Sequence, residues 1–123
     1  MIRVPEFLLR RLYVKGSLAN SPDGFSFELR NSLGSGYARK MTPLSVDDEQ
    51  VPLQRCSFSI DEKEVPFSEV SPENPFTLAM NRSITVNVRG GSPLSEEAHR
   101  IGMGFDVMGL GTMRFHFTDV PSE

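Results

Sequence analysis

His99 is the residue whose type and surroundings offer the most chemistry in this sequence. An imidazole can act as a general acid or base or as a ligand near neutral pH, and Glu97 and Arg100 stand beside it. These three residues, with the irregular stretch Ser68–Phe76, form a candidate site for a small ligand such as a glycoside, or for catalysis. The structural alternative makes His99 a corner residue that is buried, hydrogen-bonded to main chain near Gly90–Ser95, and neutral because burial disfavours its charged form.

The remaining reactive residues point to no further site. Neither His99 nor His116 has a second histidine or a cysteine at ligand spacing, so no metal is expected. Cys56 is the single cysteine and is interpreted as a small core residue. No Walker loop, Gly-x-Ser-x-Gly or His-Glu-x-x-His motif is present, and the glycine-containing loop 31–36 precedes a predicted strand instead of the helix that a phosphate loop needs. The sequence therefore predicts no catalytic residue and no cofactor.

Net charge and composition limit the classes of partner that the chain is expected to bind. The 123 residues carry a formal net charge of −3, with a sequence pI of 5.4, so there is no electrostatic reason to bind nucleic acid or an anionic membrane. No apolar run approaches the roughly 18 residues of a membrane span, and the charged N-terminal stretch does not resemble a secretory signal. A cytoplasmic location is expected.

The elements that would position His99 follow from a strong alternation in the last third of the chain. Apolar side chains follow His99 at every second residue up to Val107, and they recur with the same spacing from Met113 to Phe117. The glycine-containing turn Met108–Thr112 separates the two segments. This period of two predicts a β-hairpin with one apolar face. His116 falls between Phe115 and Phe117, so it should point away from that face, towards solvent or an interface.

Earlier segments show the same alternation. Phe7–Ala19 is interpreted as a strand, although EFLLRRL fits a helical turn equally well. Strands are also predicted after the turn 20–24, over 37–46 with a break at Pro43, over 55–60, and over 83–89. The residues predicted to be mostly buried are Phe25, Phe27, Phe58, Ile84, Val86, Val88, Ile101, Met103, Phe105, Phe115 and Phe117.

Seven to nine short strands with turns every eight to twelve residues predict an all-β fold. We expect an antiparallel two-sheet sandwich of immunoglobulin-like type, formed as a single domain by residues 1–123. The segment Leu94–His99 resembles the Leu-x-x-Gly-x-Tyr corner of immunoglobulin-like domains, with Glu97 in place of glycine and His99 in place of tyrosine. An imidazole nitrogen could make the backbone bond that the tyrosine hydroxyl makes there.

The segments DGFSFELRN, PLSVDDEQVP, SFSIDEKEVPFSEV and ITVNVRGG resemble a group of short prokaryotic all-β proteins without a settled function. More distantly, the chain is similar to the small β subunit of bacterial C-glycoside deglycosidases. That resemblance implies a sandwich subunit that packs on a metal-dependent barrel subunit, which holds the catalytic residues. Some proteins of this appearance carry a hydroxymethylglutaryl-CoA reductase label, but no nucleotide-binding unit is visible to support that activity.

The leading functional hypothesis is a non-catalytic subunit or interaction domain that associates with itself or packs on a larger enzyme subunit, such as that of a lyase-type enzyme. Apolar residues fall at element ends, where exposure would mark an interface. They are Leu8, Leu9, Met108, Leu110 and Met113.

Overall fold

The computed structural model describes residues 4–34 and 36–122. Those residues contain one short helix, α1, over Glu6–Leu9, and 3-10 turns over Arg10–Leu12, Leu53–Arg55 and Phe67–Glu69. They contain eleven strands, which are β1 (Ala19–Ser21), β2 (Gly24–Arg30), β3 (Gly36–Met41), β4 (Ser45–Val46), β5 (Glu49–Gln50), β6 (Cys56–Ile60), β7 (Lys63–Pro66), β8 (Phe76–Leu78), β9 (Ser83–Val88), β10 (His99–Val107) and β11 (Gly111–Asp119).

The strands form two antiparallel sheets. The first sheet has the order β1–β2–β9–β6–β7. In the second sheet, β10 pairs with β11 along its whole length on one edge. On its other edge, β10 pairs first with β4 and then with β3, whose outer neighbours are β5 and β8. The predicted two-sheet antiparallel sandwich is confirmed.

The β10–β11 hairpin has the predicted register. Ile101 pairs with Phe117 and Met103 pairs with Phe115, so the two apolar rows face the same core. The core contains ten of the eleven residues predicted for it. Phe105 is the exception, since it is only half-buried. Truncating Phe105 should therefore cost less than truncating Phe27, which is fully buried and meets Phe117 edge-on.

The predicted strand over Phe7–Ala19 is wrong, and the helical alternative is correct for its first half. The chain forms α1 and the following 3-10 turn, which bury Leu9 and Leu12. A helical period brings these two side chains to one face, whereas on a strand Leu9 and Leu12 would face opposite sides of the sheet. The helix packs on β11, so it supplies the second sheet with a cover.

The strand count exceeds the predicted seven to nine because tight turns create short paired segments. The break at Pro43 separates β3 from β4, as predicted. Asp47 and Asp48 take φ values of +51° and +70°, and Asp61 and Glu62 take +49° and +68°. Two consecutive residues with positive φ match the tight turn that joins twisted antiparallel strands. The similar sequences VDDEQVP and IDEKEVP thus adopt the same turn.

Candidate functional site

His99 lies at the first residue of β10 and is hydrogen-bonded through both ring nitrogens. Its Nε2 lies 3.0 Å from the carbonyl oxygen of Ser95, and its Nδ1 lies 2.7 Å from Oδ2 of Asp47. Only 9% of the residue is exposed. The bond to Ser95 is the corner contact expected from the sequence, with imidazole in the role of a tyrosine hydroxyl.

The pKa of His99 shifts in the direction opposite to the one expected from burial alone. Nδ1 faces the Asp47 carboxylate, while Nε2 lies 3.0 Å from both the carbonyl and the hydroxyl of Ser95. The imidazolium form can donate from both nitrogens, and the neutral ring can accept the hydroxyl proton at Nε2. The hydrogen bond from Asp47 raises the pKa of His99 above its ordinary value and outweighs the opposing effect of burial. The pKa of Asp47 is lowered, because its carboxylate accepts hydrogen bonds from the Arg100 backbone and from His99.

The structure brings Arg100 to the same cluster through its backbone. Its N–H donates to Oδ1 of Asp47 at 2.9 Å, while its side chain reaches Oδ1 of Asp48 at 3.4 Å. Glu97 is exposed, and its negative charge contributes to the raised pKa of His99. His99, Asp47 and Arg100 thus join the β4–β5 turn and the segment before β10 to the first residues of β10.

The loop Ser68–Phe76 does not meet His99. It begins after Phe67 and ends at Phe76, and both rings pack on Phe58, with Phe76 stacked on it at 4.1 Å. The loop borders a cleft of about 420 Å³ near Asp106. Asp106 lies seven residues beyond His99 on β10, which is about 23 Å at the rise of a strand.

Asp106 brings a charged pair to that cleft. Its Oδ2 accepts a hydrogen bond from Nε of Arg39 at 3.1 Å, and Ser68 and Ser71 lie on the loop side of the cleft. Its Oδ1 is buried and has no hydrogen-bond partner among the described residues. The candidate residues named from sequence are therefore separated, with Glu97, His99 and Arg100 at the start of β10 and the loop Ser68–Phe76 near Asp106 towards its other end.

His116 points away from the core row, as predicted, and lies under α1. Its Nδ1 is 3.2 Å from Oε1 of Glu6, and its carbonyl accepts a hydrogen bond from Nε of Arg10. Its side chain keeps 34% exposure. The helix thus covers part of a surface that a predicted strand at 7–19 would have left open.

An apolar cavity of about 260 Å³ lies between the two sheets. Residues from both sheets and from the N-terminal helical segment form its walls, and Leu33 and Leu110 lie at its open end. Asn31 is the one polar side chain among the described lining residues. This cavity is a candidate site that cannot be predicted from the amino-acid sequence, because its walls come from segments far apart in the chain.

Exposed apolar residues surround the open end of this cavity. We call this surface the rim and define it as Leu33, Tyr37, Met108 and Leu110, which are 38%, 56%, 52% and 40% exposed. The Met108 N–H donates to the carbonyl of Tyr37 at 3.1 Å, so these two residues are neighbours across the sheet. Exposure of Met108 and Leu110 was expected from sequence, but Leu9 and Met113 are buried.

Two polar contacts that sequence reasoning missed secure the chain around His99. Tyr13 stacks on Phe117 with 3.6 Å between ring centroids, and its hydroxyl donates to Oδ2 of Asp119 at 2.7 Å. Burial, with the hydrogen bond to Asp119, raises the pKa of Tyr13 to about 12. The Asn20 side chain bonds both the N–H and the carbonyl of Leu94 at 2.8 Å. Nothing in the local sequence marks either contact.

Cys56 and the metal-binding residue types form no further candidate site in the described parts of the chain. Cys56 is buried and its pKa is raised by burial, which disfavours the reactive thiolate. Over residues 4–34 and 36–122, no three His, Cys, Asp or Glu side chains gather as a metal site would require. In the same ranges, no helix is long and apolar enough to cross a membrane.

The fold and the rim define an all-β sandwich domain with an apolar surface at one end. A family profile described as "Hydroxymethylglutaryl-CoA reductase, N-terminal domain" matches residues 8–122. The chain belongs to this family. The family differs from that of the C-glycoside deglycosidase subunits, so the resemblance to those subunits stays a prediction. No curated protein matches the chain.

Proposed function

We propose that this chain is a non-catalytic accessory domain, folded as a single unit over residues 1–123, that packs on a larger enzyme subunit through the rim. The family to which it belongs is described as the N-terminal domain of an enzyme. A domain of that kind functions beside a catalytic part, and its own contribution is an interface. The observation that carries the proposal is the exposed apolar rim at one end of the sandwich.

The exposure of Tyr37 and Met108 supports this surface over the rest of the molecule. These side chains are adjacent, and more than half of each is exposed. Contiguous apolar exposure is uncommon on monomeric proteins and marks contact sites, and Tyr and Met are enriched at such sites. The other exposed large apolar residues are scattered, since Phe7 lies on α1, Met80 lies between β8 and β9, and Val120 follows the last residue of β11.

The polar cluster at His99 supports a structural role for that region. Both ring nitrogens are occupied within the chain, and Asp47 is held by the Arg100 backbone as well. A catalytic acid or base must reach a substrate proton, and this ring has no nitrogen left for that contact. A second candidate function at His99 gains no specific support from this geometry.

The test compares a variant carrying Tyr37→Glu and Met108→Glu with the control Val120→Glu, each as the full chain purified from the native source. The rim variant should lose a co-purifying enzyme subunit that both the parent and the control retain. Capture of the same proteins by all three would overturn the proposal. If the purified parent dimerises in sedimentation and the rim variant does not, the partner at the rim is a second copy of this chain and not a larger subunit.

A further inference from the structure

We propose that the cavity between the sheets is a binding site for a small uncharged apolar molecule, of the size of a substituted benzene or a short alkyl chain. The inference goes beyond the proposed packing function. It rests on the volume, the lining and the access of the cavity.

The lining selects for an apolar ligand. Ile84 and Leu29 contribute from the first sheet, and Met103 and Val107 contribute from the second. No charged side chain is among the described lining residues. A charged or strongly polar molecule would lose its hydration there and find no compensating hydrogen bonds.

Asn31 does not alter this selectivity, because its amide is engaged in the loop that follows β2. Its Nδ2 donates to the carbonyl of Gly34 at 2.6 Å, and its Oδ1 accepts from the backbone N–H groups of Leu33 and Gly34. The side chain therefore shapes one wall of the cavity, and its polar atoms face the loop backbone.

The volume suits a ring-sized molecule. An apolar cavity of roughly 150 Å³ engineered in another protein stays dry and binds benzene. The cavity described above, at about 260 Å³, exceeds that size. Wall atoms beside empty space lose dispersion contacts, which an apolar occupant restores.

Access is available at the rim. Leu33 and Leu110 lie at the open end and are 38% and 40% exposed. Gly109 and Gly111 flank Leu110 with positive φ, and a Cβ at either position would have no atom within 4 Å. Open space therefore lies beside both glycines, and the proposed route of entry passes this hairpin turn.

The experiment titrates the full chain with n-butylbenzene and follows its methyl groups by NMR. Methyl signals of Ile84, Met103 and Val107 should shift and saturate, because these residues line the cavity. Those of Val86, which is buried elsewhere in the core, and of Val120, which is exposed, should stay unchanged. Shifts of equal size at all five residues, or none at the lining residues, would overturn the proposal.

A second test fills the cavity by substitution and compares the variant with a matched substitution at an exposed position. Ala38 lines it and is 8% exposed, so Ala38→Leu should occupy the ligand volume and weaken binding at least tenfold. Ala98→Leu places the same side chain at an exposed position and should bind as the parent does. Ala38→Val replaces the leucine variant if that fails to fold.

Unweakened binding by a folded Ala38 variant would place the ligand elsewhere and refute the proposal. The outcome is independent of the partner test, since Tyr37 and Met108 are not among the residues that line the cavity.

Discussion

The His99 imidazole connects three segments that are distant in sequence. It bonds Ser95 four residues earlier and Asp47 in the β4–β5 turn, 52 residues away. The carboxylate of Asp47 also accepts the Arg100 N–H, so one charged pair holds both the turn and the first residues of β10.

The pH dependence of this pair follows from the two pKa shifts. His99 has a raised pKa, so its contribution to stability is complete below its unfolded pKa of about 6.5 and is lost as the pH rises through the folded pKa. Asp47 has a lowered pKa, so its contribution is present above about 3.9 and is lost as the pH falls through its folded pKa. The pair should stabilise the fold most between about pH 4 and pH 6.5.

Asp47→Asn tests this prediction at a position where asparagine tolerates the positive φ. The amide oxygen can still accept the Arg100 N–H, so the change removes mainly the charge. We expect the pKa of His99 to fall in an NMR titration, and the loss in free energy of unfolding to be greatest inside the stated window. Asp48→Asn, at an exposed neighbour, is the control. Equal effects of both variants would contradict the charged-pair account.

At the scale of elements, the β2–β9 pair depends on one glycine. Gly24 begins β2, and a Cβ there would overlap the carbonyl oxygen of Val88 at the end of β9. The two strands approach so closely because Phe25 pairs with Val88 and both side chains enter the core. The backbone at this turn therefore has no room for a side chain.

We predict that Gly24→Ala lowers the free energy of unfolding by about 1–3 kcal/mol, as overpacking does elsewhere. The matched control is Gly36→Ala on β3, where the nearest atom to an added Cβ is 3.8 Å away. Its cost should stay within about 0.5 kcal/mol. Urea denaturation measures both, and a Gly24 variant as stable as the control would show that the strands can separate at no cost.

The N-terminal helix is stabilised by the surface on which it packs. Leu9 and Leu12 are buried in the core, where their segment contacts β11 and β2, and Nε of Arg10 donates to the His116 carbonyl on β11. Tyr13 then anchors the next residues on Phe117 and Asp119. The segment covers the outer strand of the hairpin, which would otherwise expose a free edge.

For the whole molecule, both sheets contribute to one cluster of buried side chains. Phe27 from the first sheet meets Phe117 from the second at 5.0 Å, and Phe58 from the first stacks on Phe76 from the second. Neither sheet can bury its apolar face without the other. This arrangement supports the proposal of a single domain.

We predict one cooperative unfolding transition in calorimetry, with a calorimetric enthalpy equal to the van't Hoff enthalpy. The near-ultraviolet signal of the two tyrosines, of which Tyr13 contacts Phe27 from the first sheet and Phe117 from the second, and far-ultraviolet circular dichroism should give the same midpoint. Two separated transitions would show that the sheets unfold independently and would contradict the single-domain proposal.

The sheet-forming segments could be predicted from the amino-acid sequence, because an apolar period of two is a local and strong signal. The register of β10 on β11 and the burial of Phe25, Phe27, Ile84 and Val86 were predictable for that reason. The tight turns at Asp47 and Asp61 were predictable from their similar sequences.

Tertiary structure decided what local pattern leaves open. Leu8, Leu9 and Leu12 fit both a strand and a helix, and packing on β11 selected the helix. The charge of His99 depends on Asp47, and the cavity depends on how two sheets and a helix meet. These features arise from contacts between residues far apart in the chain, and side-chain electrostatics and packing volume are set only when those residues come together.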